Sequence, residues 1–135
     1  MKQKSITILA LILVLSVAVL SACKSVRTPA DVIVEYLEAL AASDQTSAVA
    51  NSCAAWEEQA LAEGASFINV DVSLKDLDCQ VQFQTDTDAT VVCTGSFLFS
   101  YDAGEEQELN LFGRVFSLVN EGGEWRMCGY KLMSN

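Results

Sequence analysis

Val70-Asp-Val-Ser-Leu-Lys-Asp-Leu-Asp-Cys-Gln-Val-Gln-Phe-Gln84 is the stretch that decides the fold. Val70, Val72 and Leu74 alternate with Asp71 and Ser73; then Leu77, Cys79, Val81 and Phe83 alternate with Asp78, Gln80, Gln82 and Gln84. A repeat of two is that of a strand with one face on a core. The apolar set passes from even to odd positions around Lys75 and Asp76, and a bulge or break there reconciles the two halves.

Upstream the repeat is helical. Thr28-Pro29-Ala30-Asp31 is a helix start: a hydroxyl cap, proline at the first helical position and an acid three residues after the cap. The helix it predicts runs to about Ala42, with Ile33, Leu37 and Leu40, widened by Val34, Tyr36 and Ala41, making a buried stripe. Ser43 and Asp44 can cap a second helix, in which Val49, Cys53, Trp56 and Ala60 recur at helical spacing while Glu57, Glu58 and Glu63 lie outside the stripe. Gly64 is its expected end.

Downstream, Asp86-Thr87-Asp88 is a turn. A second strand follows from about Thr90 to Tyr101, with Val91, Cys93, Phe97 and Phe99 on one face and Val92, Leu98 and Ser100 on the other. After a turn at Asp102-Ala103-Gly104-Glu105, a third strand is expected from about Glu108 to Val119, apolar on both faces. Gly122-Gly123 then leads into a last strand, Trp125 to Leu132. The class is α+β: two or three N-terminal helices packed on a curved, four-stranded antiparallel meander in one domain. In element order, in Asp31-Val-Ile-Val-Glu-Tyr-Leu-Glu-Ala-Leu40 followed by Ala-Ala-Ser-Asp44, and in Gly123-Glu-Trp-Arg-Met127, the chain resembles the nuclear transport factor 2-like superfamily. The resemblance is closest to short lipoprotein domains of that group. It implies a cone-shaped, cystatin-like roll that encloses a small apolar ligand, holds an active site or packs shut.

The first 22 residues have the layout of a secretory signal: Lys2 and Lys4, an uncharged run of 15 residues from Ile6 to Leu20, then Ser21 and Ala22. The run is short of the roughly 20 residues that span a bilayer. Leu20-Ser21-Ala22-Cys23 resembles a bacterial lipobox, which implies a diacylglycerol on Cys23 and removal of the signal. Two or three acyl chains, at about 0.8 kcal/mol per buried methylene, make a stable anchor. The expected division is a signal over 1–22, a lipidated tether over 23–28 and the roll over 29–135, held by the lipid bilayer on the extracytoplasmic side of the cell membrane. Losing Lys2 and Lys4 from eight basic residues leaves six against 18 acidic ones.

Among 135 residues, 51% are hydrophobic and the net charge is −10, which argues against a nucleic-acid partner. No histidine is present, which removes Ser/His/Asp and Cys/His nucleophile systems and His-ligated zinc. With Cys23 assigned to lipid, Cys53, Cys79, Cys93 and Cys128 remain, an even number that outside the cytosol predicts two disulfides. Three pairings exist. If Asp86 centres its turn, Cys79 stands opposite Cys93, and Cys53 is left for Cys128. No C-x-x-C pair seeds a metal site, and the calcium-like opening Asp86-x-Asp88 fails where Val91 and Phe97 occupy the positions of its glycine and glutamate. No cofactor is expected.

Ketosteroid isomerase-like relatives use an acid and a tyrosine inside the cone, and Tyr36, Tyr101 and Tyr130 are the tyrosines here. No acid falls on an inward stripe, so no residue is assigned a catalytic role. Trp56, Phe97 and Trp125 are candidate cavity or core aromatics, and Arg114, between Phe112 and Phe116 in strand alternation, is a candidate holder of an anionic ligand. The expectation is a binding or scaffolding module for a small apolar ligand or an envelope protein. The alternatives are an isomerase- or hydratase-like enzyme using the cone interior, or a structural envelope component that binds another protein.

Overall fold

A computed structural model describes residues 26–102 and 104–133. The signal sequence, Cys23 and the first residues of the tether lie outside the described residues. Among those described, three helices, α1 (Pro29–Ala41), α2 (Gln45–Ala50) and α3 (Glu57–Ser66), precede five strands: β1 (Asp71–Gln84), β2 (Asp88–Ser100), β3 (Glu106–Asn110), β4 (Arg114–Glu121) and β5 (Glu124–Leu132). The strands form one antiparallel sheet in the order β1-β2-β4-β5, with β3 paired to β2. No described helix is long and apolar enough to cross a membrane.

The α1 start follows the sequence signal. Thr28 accepts from the Asp31 N–H at 3.2 Å, and the Asp31 carboxylate takes the Thr28 N–H at 2.8 Å, so two otherwise unpaired donors are satisfied. Val32, Ile33, Tyr36, Leu37 and Leu40 bury against Val91, Phe97, Phe116, Leu118 and Met127 of the sheet. Fully burying each aliphatic side chain is worth about 1.5–3 kcal/mol.

The expected second helix is two helices. Between them Asn51, Ser52 and Cys53 run beside β5: the Asn51 carbonyl accepts the Met127 N–H, and the Met127 carbonyl accepts the Cys53 N–H, both at 2.8 Å. Those long-range bonds replace helical ones, so the Val49–Ala60 stripe spans a break. Gly64 does not end α3. It lies inside the helix, where an added Cβ would stand 3.0 Å from the Gln45 side chain, so the glycine permits α3 to approach α2.

The bulge expected near Lys75 is present. The β1–β2 register shifts between Lys75 and Asp78, Asp76 has φ 52°, and opposite it Gly95 has φ 100°, with a Cβ position 2.6 Å from the Lys75 carbonyl oxygen. Any side chain there would strike backbone. A second shift, between Val81 and Phe83, corrects the hairpin: Gln84 faces Ala89 across the turn, yet Cys79 still faces Cys93. The hairpin end projects beyond the helices and leaves Phe83 exposed, against the expectation that it joins the core stripe.

The four-stranded expectation is corrected to five because the segment read as one strand, Glu108 to Val119, is two. The Asn110 side chain takes the Phe112 N–H at 2.7 Å, Gly113 turns with φ 81°, and the chain re-enters the sheet at Arg114. Both pieces pair with the long β2: β3 with Ser96–Ser100 and β4 with Asp88–Val92. Phe112 falls in the kink and is 74% exposed, so the Phe112-Arg114-Phe116 alternation does not hold.

Candidate functional site

The sheet, α1 and α3 line a half-open cavity of about 150 Å³. Its wall is apolar: Leu37 and Leu40 from α1, Phe67 after α3, Phe97 from β2, Leu111 from the kink and Phe116 from β4. Phe67 lies 5.4 Å, centroid to centroid, from Phe97, a tilted aromatic contact within that wall. Its lining also carries Tyr36, Glu63, Arg114 and Tyr130.

These four groups come from four elements. Tyr36 is buried on the inner stripe of α1; its hydroxyl donates to Glu63 Oε2 at 2.7 Å and accepts from Trp56 Nε1 at 3.1 Å. Burial, and then the hydrogen bond to Glu63, push the Tyr36 hydroxyl far above the usual tyrosine value of 10.0. Glu63 Oε1 accepts from Gln59, one turn back on α3, at 3.3 Å. Tyr130 on β5 is 41% exposed; its hydroxyl is pushed up by burial first and then by the negative charge of Glu63, with Arg114 opposing. The Arg114 guanidinium carbon is 5.9 Å from the Tyr130 ring centroid, and one of its nitrogens donates to the Asn110 carbonyl.

The residues singled out in the sequence divide accordingly. Phe97 and Arg114 line the cavity. Trp56 stands behind its wall, with its ring edge-on to Tyr130 at 5.9 Å and its N–H on Tyr36. Trp125 does not line it: it packs into the core and lines a separate pocket of about 440 Å³ together with Val26, Arg27 and Gly122-Gly123. Tyr101 is also away from the cavity. Cys79 and Cys93 stand at bonding distance with Cα atoms 4.1 Å apart, and Cys53 and Cys128 at 5.3 Å.

Glu63 is the residue the sequence reading missed. It lies outside the apolar stripe of its helix, yet it reaches the cavity because α3 begins after the break at Cys53 and follows its own path over α1. No local pattern marks such a residue.

No family model matches the chain, and no curated protein matches it. Among solved structures it is similar to a SEC-C motif-containing protein from Rhodopseudomonas palustris, known from a solution structure, with a TM-score of 0.56 and 16% identity over 80% of this chain and 83% of that one. At that identity the likeness bears on the fold alone.

Proposed function

We propose that this chain is a lipid-anchored, extracytoplasmic binding module with a nuclear transport factor 2-like roll, non-catalytic, whose cavity holds a small ligand with an apolar body. The carrying observation is the cavity of about 150 Å³ with a mostly apolar wall and two charged and two tyrosine side chains in its lining. A space of that size admits a benzene-sized group, whereas drug-sized ligands need about 300 Å³ or more. Support for the anchor comes from the leader and Leu20-Ser21-Ala22-Cys23, and two cysteine pairs suit an oxidising compartment.

The second reading, an isomerase- or hydratase-like enzyme, is favoured by one observation: a carboxylate, Glu63, beside Tyr36 and Tyr130 at the cavity. The chemistry of Tyr36 argues for the module. Its O–H donates to Glu63 and its oxygen takes the Trp56 N–H, so Tyr36 itself keeps no donor for a developing oxyanion.

Two measurements test the proposal. Cys23→Ser should release the chain from membranes, and unchanged retention would defeat the anchor. Saturating toluene should raise the thermal midpoint of the full chain by mass action, and an unmoved midpoint would defeat the binding cavity.

A further inference from the structure

Two opposite charges line the cavity without forming an ion pair. Glu63 is on α3 and Arg114 opens β4, and both line the cavity. Among the described residues the ion pairs are Arg27–Glu35 and Arg126–Glu124, so Glu63 and Arg114 stand more than 4.0 Å apart. Tyr130 is common to both: the guanidinium lies against its ring, and the charge of Glu63 raises its hydroxyl.

Each charge keeps unused capacity. A guanidinium has five N–H donors, and Arg114 spends one on the Asn110 carbonyl. A carboxylate offers about four lone-pair positions; Glu63 accepts from Tyr36 and Gln59 and has the Tyr130 hydroxyl beside it, which leaves one position open. An anionic ligand would meet Arg114 but be repelled by Glu63, and a cationic one would meet the reverse. A neutral apolar molecule would leave both groups partly desolvated with nothing in return. One small head group satisfies both sides: an ammonium and a carboxylate on the same carbon.

Resting on the reading of the cavity as a binding site, we infer that its ligand is a free α-amino acid with an aromatic or large aliphatic side chain. The side chain enters the chamber walled by Leu37, Leu40, Phe97 and Phe116, the ammonium meets Glu63 and the carboxylate meets Arg114. A benzyl group matches the chamber, since about 150 Å³ accommodates benzene. A residue inside a peptide lacks the adjacent pair of charges and is excluded by the same argument.

The test is a charge-deletion series on one skeleton, measured by calorimetric titration of the full chain in phospholipid nanodiscs: L-phenylalanine, 3-phenylpropanoate without the ammonium, 2-phenylethylamine without the carboxylate, and ethylbenzene without either. L-Phenylalanine should bind about tenfold or more tightly than either singly charged compound, because a hydrogen bond to a charged group is worth about one decade or more. Arg114→Gln should reduce L-phenylalanine to the level of 2-phenylethylamine, and Glu63→Gln to that of 3-phenylpropanoate, while ethylbenzene, spared the desolvation of a charge, should bind both variants at least as tightly as the parent. Retained ethylbenzene binding separates a head-group role from misfolding. If ethylbenzene binds and either singly charged compound matches L-phenylalanine, the amino-acid assignment is overturned while the binding cavity stands. If all four fail to bind, both fall.

Discussion

The two halves of β5 have opposite fates. In its first half Trp125 and Met127 are buried, Met127 exchanges backbone hydrogen bonds with Asn51 and Cys53, and Arg126 donates to the Ala50 carbonyl. In its second half Tyr130, which lines the cavity, and Leu132 are exposed. The divide is a bulge: Ser117 faces Gly129 and Leu118 faces Met127, which leaves Cys128 as the extra residue, bonded to Cys53. Gly129 beyond it has φ 137° and passes within 3.4 Å of the Trp56 ring, measured from where a Cβ would be. One strand thus carries a clamped end, where packing and a covalent bond fix the frame, and an open end, where polar groups are left for a ligand. Stability concentrates in the first and the candidate chemistry in the second, a separation expected when a site needs groups that do not contribute to a core.

The largest expected effect breaks the clamp. Removing the Cys53–Cys128 bridge, which spans a sequence separation of 75, as Cys53→Ala with Cys128→Ala should cost roughly 4 kcal/mol on a loop-entropy basis. The 14-residue Cys79–Cys93 link should cost roughly 3. Urea titrations under non-reducing conditions compare the two, and a greater loss at Cys79–Cys93 would contradict the division. Met127→Ala, at a fully buried site, should follow at about 3 kcal/mol, whereas Leu132→Ala, five residues along the same strand and 68% exposed, should stay within about 0.5 kcal/mol. Similar losses at the two positions would erase the contrast.

The clamp and the open end were unequally legible in the sequence. Period two in Val70–Phe83, the capping box at Thr28 and the shift at Lys75 are local patterns, and the structure contains the strand, helix and bulge they predict. The Asn51–Cys53 break was not legible, because helical spacing continues through it and the bonds that interrupt it come from Met127, far along the chain. The Gly113 kink was hidden by apolar residues on both faces of the segment, although glycine after an asparagine that can take a backbone N–H is a turn signal in retrospect. Arg114 was legible as a candidate because a cation in an apolar alternation is conspicuous. Glu63 was not, since an acid on the polar side of a helix ordinarily faces water.

A smaller effect probes the open end. Tyr36→Phe removes a hydroxyl bonded to both Glu63 and Trp56, and should cost about 1–2 kcal/mol at neutral pH. Its signature at high pH is distinctive. The hydroxyl is held far above its usual value of 10.0 in the folded chain, so the native state keeps a proton that the unfolded chain loses. Stability from this group is intact below pH 10 and is lost as the pH rises from there toward the folded value. The variant, weaker at pH 7, should therefore fall less steeply than the parent between pH 10 and 11 in urea titrations. Parallel curves would mean that Tyr36 ionises as freely in the fold as out of it.

The smallest effect belongs to the pole of the clamp, where α1 begins. The Thr28 N–H, and then its hydroxyl, hold the Asp31 carboxyl below its ordinary value of 3.8, so the folded chain binds a proton less readily than the unfolded one. The stabilisation is present above pH 4 and is lost as the pH falls through the folded value. Asp31 is solvent-exposed, so the loss is well below that of either bridge and screens with salt. Asp31→Asn keeps an oxygen for capping but does not titrate. Between pH 5 and pH 3 the parent should lose more stability than this variant, and the gap should narrow at 1 M salt. An equal loss would place the acid sensitivity elsewhere, with Asp44 the next group to test, since its carboxylate caps α2 through the Ser47 hydroxyl and N–H and is lowered for the same reason.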